Sequence, residues 1–335
     1  MSRLSIVLLA VAAACGGKSN PATPVAPLPA DPEPAAAQTA EAPAPEPAPA
    51  PAPPPPLEEA IEPVAVDVKV LNRGKGKREP LVYASAPGNK QQVELALDFA
   101  ASQKAAAELG GDQDQKLPTV VLVGDAETKN VGADGSTEYV FTVTGTDARA
   151  VAGSPMPLDQ LKQALTGLKG LTIQGTRGAN GAQVGPITLR LEKPDPMSAQ
   201  LIEMVRATLP SWPALPTEPV GTGAKWRATS KTTIMGQIPI EVVTDYQLAS
   251  RKGASWTIKG TTKVVGEDQE LKGSKISKIG GKGTTEATLD SGAVFPKLTS
   301  SLETKFTATE GDQTMTLAVQ VGSSVTPAPA ATASN

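Results

Sequence analysis

Apolar and polar residues alternate with a period of two in five stretches of the chain. The apolar positions of these stretches begin at Val93, Tyr139, Ile187, Ile240 and Met315. This period is typical of a half-buried antiparallel strand, because successive side chains of a strand point to opposite faces. Turn-forming residues separate the stretches, at Pro87-Gly88-Asn89, Asp134-Gly135, Arg251-Lys252-Gly253, Gly280-Gly281 and Gly311-Asp312. The pattern predicts roughly a dozen strands.

Two stretches have the period of a helix instead. Over 157–168 the apolar stripe consists of Leu158, Leu161, Leu165 and Leu168. Over 196–209 it consists of Met197, Leu201, Met204, Val205 and Leu209. Asp195 can cap this second helix, Pro196 suits its first turn, and Pro210 and Pro213 stop it. We expect both apolar faces to pack against a sheet.

These elements predict a mainly β (α+β) domain over residues 65–325. We expect a large curved antiparallel sheet, or half-barrel, covered by the two amphipathic helices. An alternative organisation has two similar β halves, 65–150 and 219–325, joined by a helix–hairpin–helix segment over 151–218.

The first fourteen residues have the features of an export signal. Arg3 precedes an apolar run from Leu4 to Ala14, which is too short to span a bilayer. Small residues then lead to Cys15, the only cysteine. The segment resembles a bacterial lipoprotein signal, which implies cleavage between Ala14 and Cys15 and acylation of Cys15. An ordinary secretory signal would be cut at the same bond, and that interpretation stays open.

A proline-rich tether is predicted over 15–64. Residues 18–64 hold sixteen of the 32 prolines, and one lysine stands against seven acidic residues there. Such a segment buries too little apolar surface to offset its ordering entropy, so we expect an extended spacer. A second disordered tail is predicted over 326–335.

Composition excludes several classes of chemistry. The chain has no histidine and a single cysteine, so it lacks His-based catalysis, His-ligated metals and internal disulfides. Aromatic residues make up 3% of the chain and the net charge is −3, which argues against a nucleic-acid partner. Gly175, Gly178 and Gly181 fit a flexible hairpin loop better than a phosphate-binding loop.

We expect no enzymatic activity, no cofactor and no metal. A carboxylate-dependent envelope hydrolase is an alternative, since carboxylate pairs have no fixed spacing.

Basic residues concentrate in one part of the chain. Residues 225–282 carry eleven Lys or Arg against five acidic residues, most densely at Lys272, Lys275, Lys278 and Lys282. Lysines of this kind guard strand faces and edges against aggregation. The alternative is contact with anionic lipid headgroups or wall polymers.

Two resemblances bear on function. The layout of sheet and helices resembles the half-barrel of periplasmic lipoprotein carriers and lipid-binding lipoproteins, which implies a greasy cavity closed by helices. The segment 219–227 (PVGTGAKWR) is similar to an uncharacterised group of predicted bacterial lipoproteins and implies no known activity. The candidates for lining such a cavity, or else for ordinary core packing, are Trp226, Tyr246, Trp256 and Phe306.

The sequence therefore leads to a hypothesis about location and role. We expect a membrane-anchored envelope lipoprotein with a non-catalytic binding or structural module, which holds an apolar ligand or an envelope protein. Gly16 after the cysteine favours the outer membrane, by resemblance to enterobacterial sorting. Besides the hydrolase, a structural spacer or assembly factor remains an alternative.

Overall fold

The computed structural model describes residues 55–107, 110–195, 197–209, 211–234, 236–290 and 292–327. The predicted signal peptide, Cys15 and most of the predicted tether and tail lie outside these residues. Within the described ranges, no helix has the length and hydropathy needed to cross a membrane.

Most of the described residues lie in strands. The strands are β1 (Leu57–Ile61), β2 (Val66–Asn72), β3 (Lys75–Glu79), β4 (Lys90–Ala105), β5 (Gln113–Lys116), β6 (Thr119–Val131), β7 (Thr137–Arg149), β8 (Thr172–Arg177), β9 (Ile187–Leu191), β10 (Val220–Thr222), β11 (Lys225–Ile234), β12 (Ile238–Lys252), β13 (Ser255–Val265), β14 (Gln269–Leu271), β15 (Ser274–Asp290), β16 (Lys297–Glu310) and β17 (Gln313–Pro327). The helices are α1 (Leu158–Leu165), a 3₁₀ turn (Thr166–Leu168) and α2 (Ser198–Thr208).

Fifteen of the strands form one antiparallel sheet. Its main path runs β1-β9-β8-β7-β6-β4-β17-β16-β15-β13-β12-β11-β2, with β14 added on β15 and β5 on β4. Strands β3 and β10 form a separate pair. The prediction of a mainly β fold with a large antiparallel sheet and two helices is confirmed. Because β4 pairs with β17, the strands before and after the helices belong to one sheet.

The sheet is strongly curved. Its first and last strands, β1 and β2, follow each other in the chain, so Ile61 and Val66 are at most about 18 Å apart. The thirteen strands of the main path would span about 58 Å if they lay flat. The sheet therefore curls until its two edges come close together.

Both predicted helices are present. Helix α1 and its 3₁₀ turn cover 158–168 and pack against β7. At the start of α2 the Asp195 carboxylate accepts hydrogen bonds from the backbone N–H groups of Met197 and Ser198, as predicted for its capping role. Pro196 lies outside the described residues. Buried leucines of both helices join the strands in the main core.

The structure contradicts two predicted boundaries, those of the tether and the tail, and one predicted turn. The predicted tether includes Leu57–Ile61, but these residues form β1, which pairs with β9 and packs half-buried Leu57 and Ile61 against the core. The predicted tail begins too early, since β17 continues to Pro327 along β4.

Gly280 and Gly281 do not form a turn. They lie inside β15, next to a bulge between Ser277 and Gly280. A Cβ on Gly281 would lie 2.2 Å from the backbone oxygen of Glu303, so glycine allows a close approach of two strands.

Candidate binding site in the sheet interior

A small apolar cavity lies on the inner face of the sheet, beside the segment that follows α2. Its volume is about 40 Å³. Ten side chains from five strands and two loops line it, and all are apolar or aromatic: Val93, Leu95, Tyr139, Phe141, Ile173, Ile187, Leu209, Trp212, Phe295 and Val325. Inward-facing positions of these strands supply most of this wall, which is why the lining is almost free of polar groups.

One charged side chain is buried next to this cavity. Arg177, the last residue of β8, is 1% exposed. Its guanidinium carbon lies 4.6 Å from the ring centroid of Tyr83, 5.0 Å from that of Trp212 and 5.9 Å from that of Tyr139. Tyr139 and Trp212 also line the cavity, so the same two rings contact both features. We call Arg177 with these three rings the arginine cage.

The guanidinium in the arginine cage makes few polar contacts. Its Nη2 donates to the backbone oxygen of Val294 over 3.2 Å. Its Nε and Nη1 are buried and have no hydrogen-bond partner among the described residues. Burial lowers the pKa of Arg177 from its ordinary value, while the two tyrosines of the cage oppose that change. An arginine nonetheless stays protonated at neutral pH, so the cage holds a buried positive charge.

Two glycines make room for the rings of the cage. A Cβ on Gly181 would lie 2.3 Å from Cε2 of Tyr83, and one on Gly175 would lie 2.8 Å from the hydroxyl oxygen of Tyr139. The Tyr83 hydroxyl donates to the backbone oxygen of Pro213 over 3.0 Å, which ties this ring to the loop that carries Trp212. The glycine-rich segment is therefore packed against aromatic rings.

The four predicted lining residues are buried elsewhere in the sheet. Trp226 and Tyr246 are cross-strand neighbours whose rings stack with centroids 5.7 Å apart. The Trp226 indole donates to the backbone oxygen of Ala214 over 2.8 Å. Trp256 belongs to the same core cluster, and the Arg251 guanidinium carbon lies 5.7 Å from the centroid of its ring.

Phe306 is separated from the other three. Backbone pairing places Tyr246, Gly260, Thr285 and Ser300 in one row across the sheet. Phe306 lies six residues beyond Ser300, or about 20 Å along the strand. Phe306 is buried outside the main core cluster. The walls of the cavity include none of the four predicted residues, and their ligand-binding role stays a prediction.

Sequence reasoning missed Arg177, although a signal was present. Apolar Leu171 and Ile173 precede Gly175 and Arg177 at every second position, so the period of two places Arg177 on the inner face. Trp212 is not among the four predicted lining residues, yet it belongs to the arginine cage and also lines the cavity.

Ten of the eleven basic residues of the segment 225–282 are exposed, and Lys259 of β13 points to the outer face of the sheet. A wide concavity of about 600 Å³ there is lined by Lys259, Gly260, Thr261, Thr284, Thr285, Glu286, Thr288, Lys297 and Thr299. Some basic residues of the segment 225–282 are paired with acidic side chains: Lys259 lies 3.4 Å from Glu286, and Arg227 lies 2.7 Å from Asp245. Such exposed pairs contribute little to stability.

Carboxylates do not converge at either cavity. The inner cavity has none in its lining, and the outer concavity has Glu286 alone. In the part of the chain that the structure describes, no group of three or more His, Cys, Asp or Glu side chains could hold a metal ion.

Comparison with known proteins identifies no family for this chain. No protein-family model matches the sequence, and no curated protein matches it. Among solved structures, the chain is similar to the outer membrane protein OprG from Pseudomonas aeruginosa, with 10% identity over 74% of this chain and 100% of that chain. The TM-score is 0.17, which is too low to carry an argument about fold or function.

Proposed function

We propose that this chain is a membrane-anchored envelope lipoprotein whose curled sheet is a non-catalytic module that binds an apolar ligand in its interior. The observation that carries the binding role is the cavity beside Trp212, whose lining is almost entirely apolar. A buried cavity lined by Leu, Ile and Phe is known to stay dry and to take up apolar molecules. The absence of carboxylates from its lining favours binding over hydrolysis.

The size of the cavity constrains the ligand. At about 40 Å³ it is several times smaller than the 150 Å³ cavity that holds a benzene ring. A group of a few carbon atoms fits it as it stands. A long acyl chain requires the loop that carries Trp212 to move away from the sheet.

The binding role is tested with neutral probes and the chain's three tryptophans. A ¹⁵N-labelled protein is titrated with 1-alkanols of four to sixteen carbon atoms, and the indole N–H signals are followed by NMR after assignment with Trp→Phe variants. Trp212 lines the cavity and Trp256 does not. We expect a saturable shift of the Trp212 signal and none of the Trp256 signal. A Trp212 signal that no alkanol moves would overturn the binding role.

The envelope role rests on the N-terminal sequence and has a separate test. Cys15 follows the apolar run and the small residues that a lipoprotein signal requires. We expect Cys15→Ala to release the protein from the membrane fraction, because acyl chains supply the anchor. Retention of the variant in membranes would contradict acylation as the anchor. Lys18→Ala, a nearby change outside the acylated residue, is the matched control and should leave the protein in membranes.

A further inference from the structure

Arg177 has a buried positive charge that the surrounding residues compensate only in part. Transfer of a cation from water into a protein interior is unfavourable unless charges and hydrogen bonds compensate it. None of the ion pairs between described residues includes Arg177. The facing titratable groups, Tyr83 and Tyr139, are neutral at neutral pH, since a tyrosine ordinarily titrates near pH 10 and burial raises the pKa of both hydroxyls further.

The three rings of the arginine cage compensate part of that cost. Tyr83 and Trp212 lie nearest, with their ring centroids 4.6 and 5.0 Å from the guanidinium carbon. Each such contact attracts a desolvated cation. The rings accept no N–H···O hydrogen bond, however, and Nε and Nη1 of Arg177 have no other acceptor among the described residues. The site thus has a buried positive charge and unused donors beside an apolar cavity.

We propose that the arginine cage and the cavity beside it together bind a small carboxylate with a short apolar tail. The carboxylate accepts hydrogen bonds from Arg177, and the tail enters the cavity past Tyr139 and Trp212, the two rings that both features share. The proposal rests on the proposed function, because it names the chemistry of the ligand for the same interior site. The cavity volume of about 40 Å³ limits the tail to a few carbon atoms.

The chemistry of the two parts explains why both are needed. A carboxylate on a guanidinium forms charge-assisted hydrogen bonds, which are about twice as strong as neutral ones. Acetate offers the charge but lacks most of the tail. An amide of the same shape offers the tail but lacks the charge. Only a molecule with both features uses the two halves of the site.

The test compares butyrate, butyramide and acetate at matched ionic strength. The ¹⁵N-labelled protein is titrated with each, and the Trp212 indole signal and the Arg177 Nε–H signal report binding. We expect butyrate to bind at least about tenfold more tightly than butyramide or acetate. Arg177→Met should abolish the preference for butyrate over butyramide, and Arg177→Lys should retain part of it. Arg190→Met, at an exposed arginine of β9, is the matched control and should change nothing.

The outcomes separate this proposal from the proposed function. Equal binding of butyrate and butyramide, or a preference that persists in Arg177→Met, overturns the carboxylate site while the alkanol titration still supports the binding role. If the alkanols also leave Trp212 unmoved, the binding role fails too. Should Arg177→Met not fold, the comparison of the three ligands on the unchanged protein decides alone.

Discussion

The guanidinium carbon of Arg177 lies 4.6 Å from the ring centroid of Tyr83, and both side chains are buried. The two residues come from segments far apart in the chain, and Gly181 leaves the space in which the Tyr83 ring lies. This contact joins the end of β8 to the strand-free segment before β4. It places a positive charge within reach of a cavity that is otherwise apolar.

The fit of Tyr83 against Gly181 predicts a large effect of one methyl group. Gly181→Ala adds a Cβ that would lie 2.3 Å from the ring, at a residue whose φ of +84° is already unfavourable for alanine. We expect a loss of about 3 kcal/mol in the free energy of unfolding, measured by urea denaturation. Gly185→Ala is the control, because Gly185 has a similar φ of +78° and open space around it. It should lose about 1 kcal/mol, and equal losses in the two variants would contradict the packing described.

Trp226 and Trp256 differ in one hydrogen bond, which predicts different costs for the same substitution. Trp226→Phe leaves the buried backbone oxygen of Ala214 without the donor that lies 2.8 Å away, and it weakens the stack on Tyr246. Trp256→Phe removes an indole N–H that has no acceptor among the described residues. Chemical denaturation should show a loss of about 3 kcal/mol for Trp226→Phe and about 1–2 kcal/mol for Trp256→Phe. The reverse order would show that the hydrogen bond is not made.

The three tyrosines predict a loss of stability at high pH. Burial raises the pKa of Tyr246 to about 12 and raises the pKa values of Tyr83 and Tyr139 as well. An unfolded tyrosine titrates near pH 10, so between pH 10 and the folded-state pKa the native protein binds more protons than the unfolded chain. The contribution of the three protonated tyrosines to the free energy of unfolding is therefore complete below pH 10. Between pH 10 and its folded-state pKa, each tyrosine lowers the free energy of unfolding by up to about 1.4 kcal/mol per pH unit.

Two measurements check this pH dependence. Absorbance at 295 nm should show no tyrosinate in the native protein at pH 10.5, whereas the urea-unfolded chain should be more than half ionised there. Tyr246→Phe should reduce the fall in stability above pH 10 relative to the unchanged protein. A native titration midpoint near 10 for all three tyrosines would contradict their burial.

Strand β1 predicts that the folded part of the chain begins before residue 62. Ile61 is half-buried against the core, while Ala60 on the same strand is exposed. We expect Ile61→Asn to lower the free energy of unfolding by about 2 kcal/mol, because it removes apolar contacts and brings an amide to the core. Ala60→Asn places the same side chain on the exposed face and should cost less than about 0.5 kcal/mol. Equal effects would mean that β1 does not pack.

Local patterns predicted the regular parts of this fold. The alternation in β4 and β12 and the stripe in α2 follow directly from the sequence, because each element is long enough to repeat its period several times. Strand β1 is five residues long and lies beside a proline run, so the pattern of its two apolar residues is too short to indicate a strand. Its strand conformation depends on pairing with β9, a contact between distant parts of the chain.

The candidate site could not be located in the same way. The period of two indicates that Arg177 faces inward, but it cannot reveal that Tyr83 and Trp212 meet there from distant loops. The sequence offers Trp226, Tyr246, Trp256 and Phe306 as candidates, and an aromatic side chain by itself does not distinguish a core position from the wall of a cavity. The lining of the cavity depends on how the loop after α2 packs on the sheet.

Thermal denaturation of Arg177→Met, with and without butyrate, tests the central claim most directly. A buried charge that lacks a counter-ion destabilises the native state, so we expect its replacement by an apolar side chain of similar length to be neutral or stabilising. A ligand that binds only the native state raises its Tm. The account predicts that the variant alone melts at the same temperature as the unchanged protein or higher, and that butyrate raises the Tm of the unchanged protein only. A variant that melts well below the unchanged protein, together with an equal rise of both Tm values in butyrate, would show that Arg177 is a structural residue and not part of a binding site.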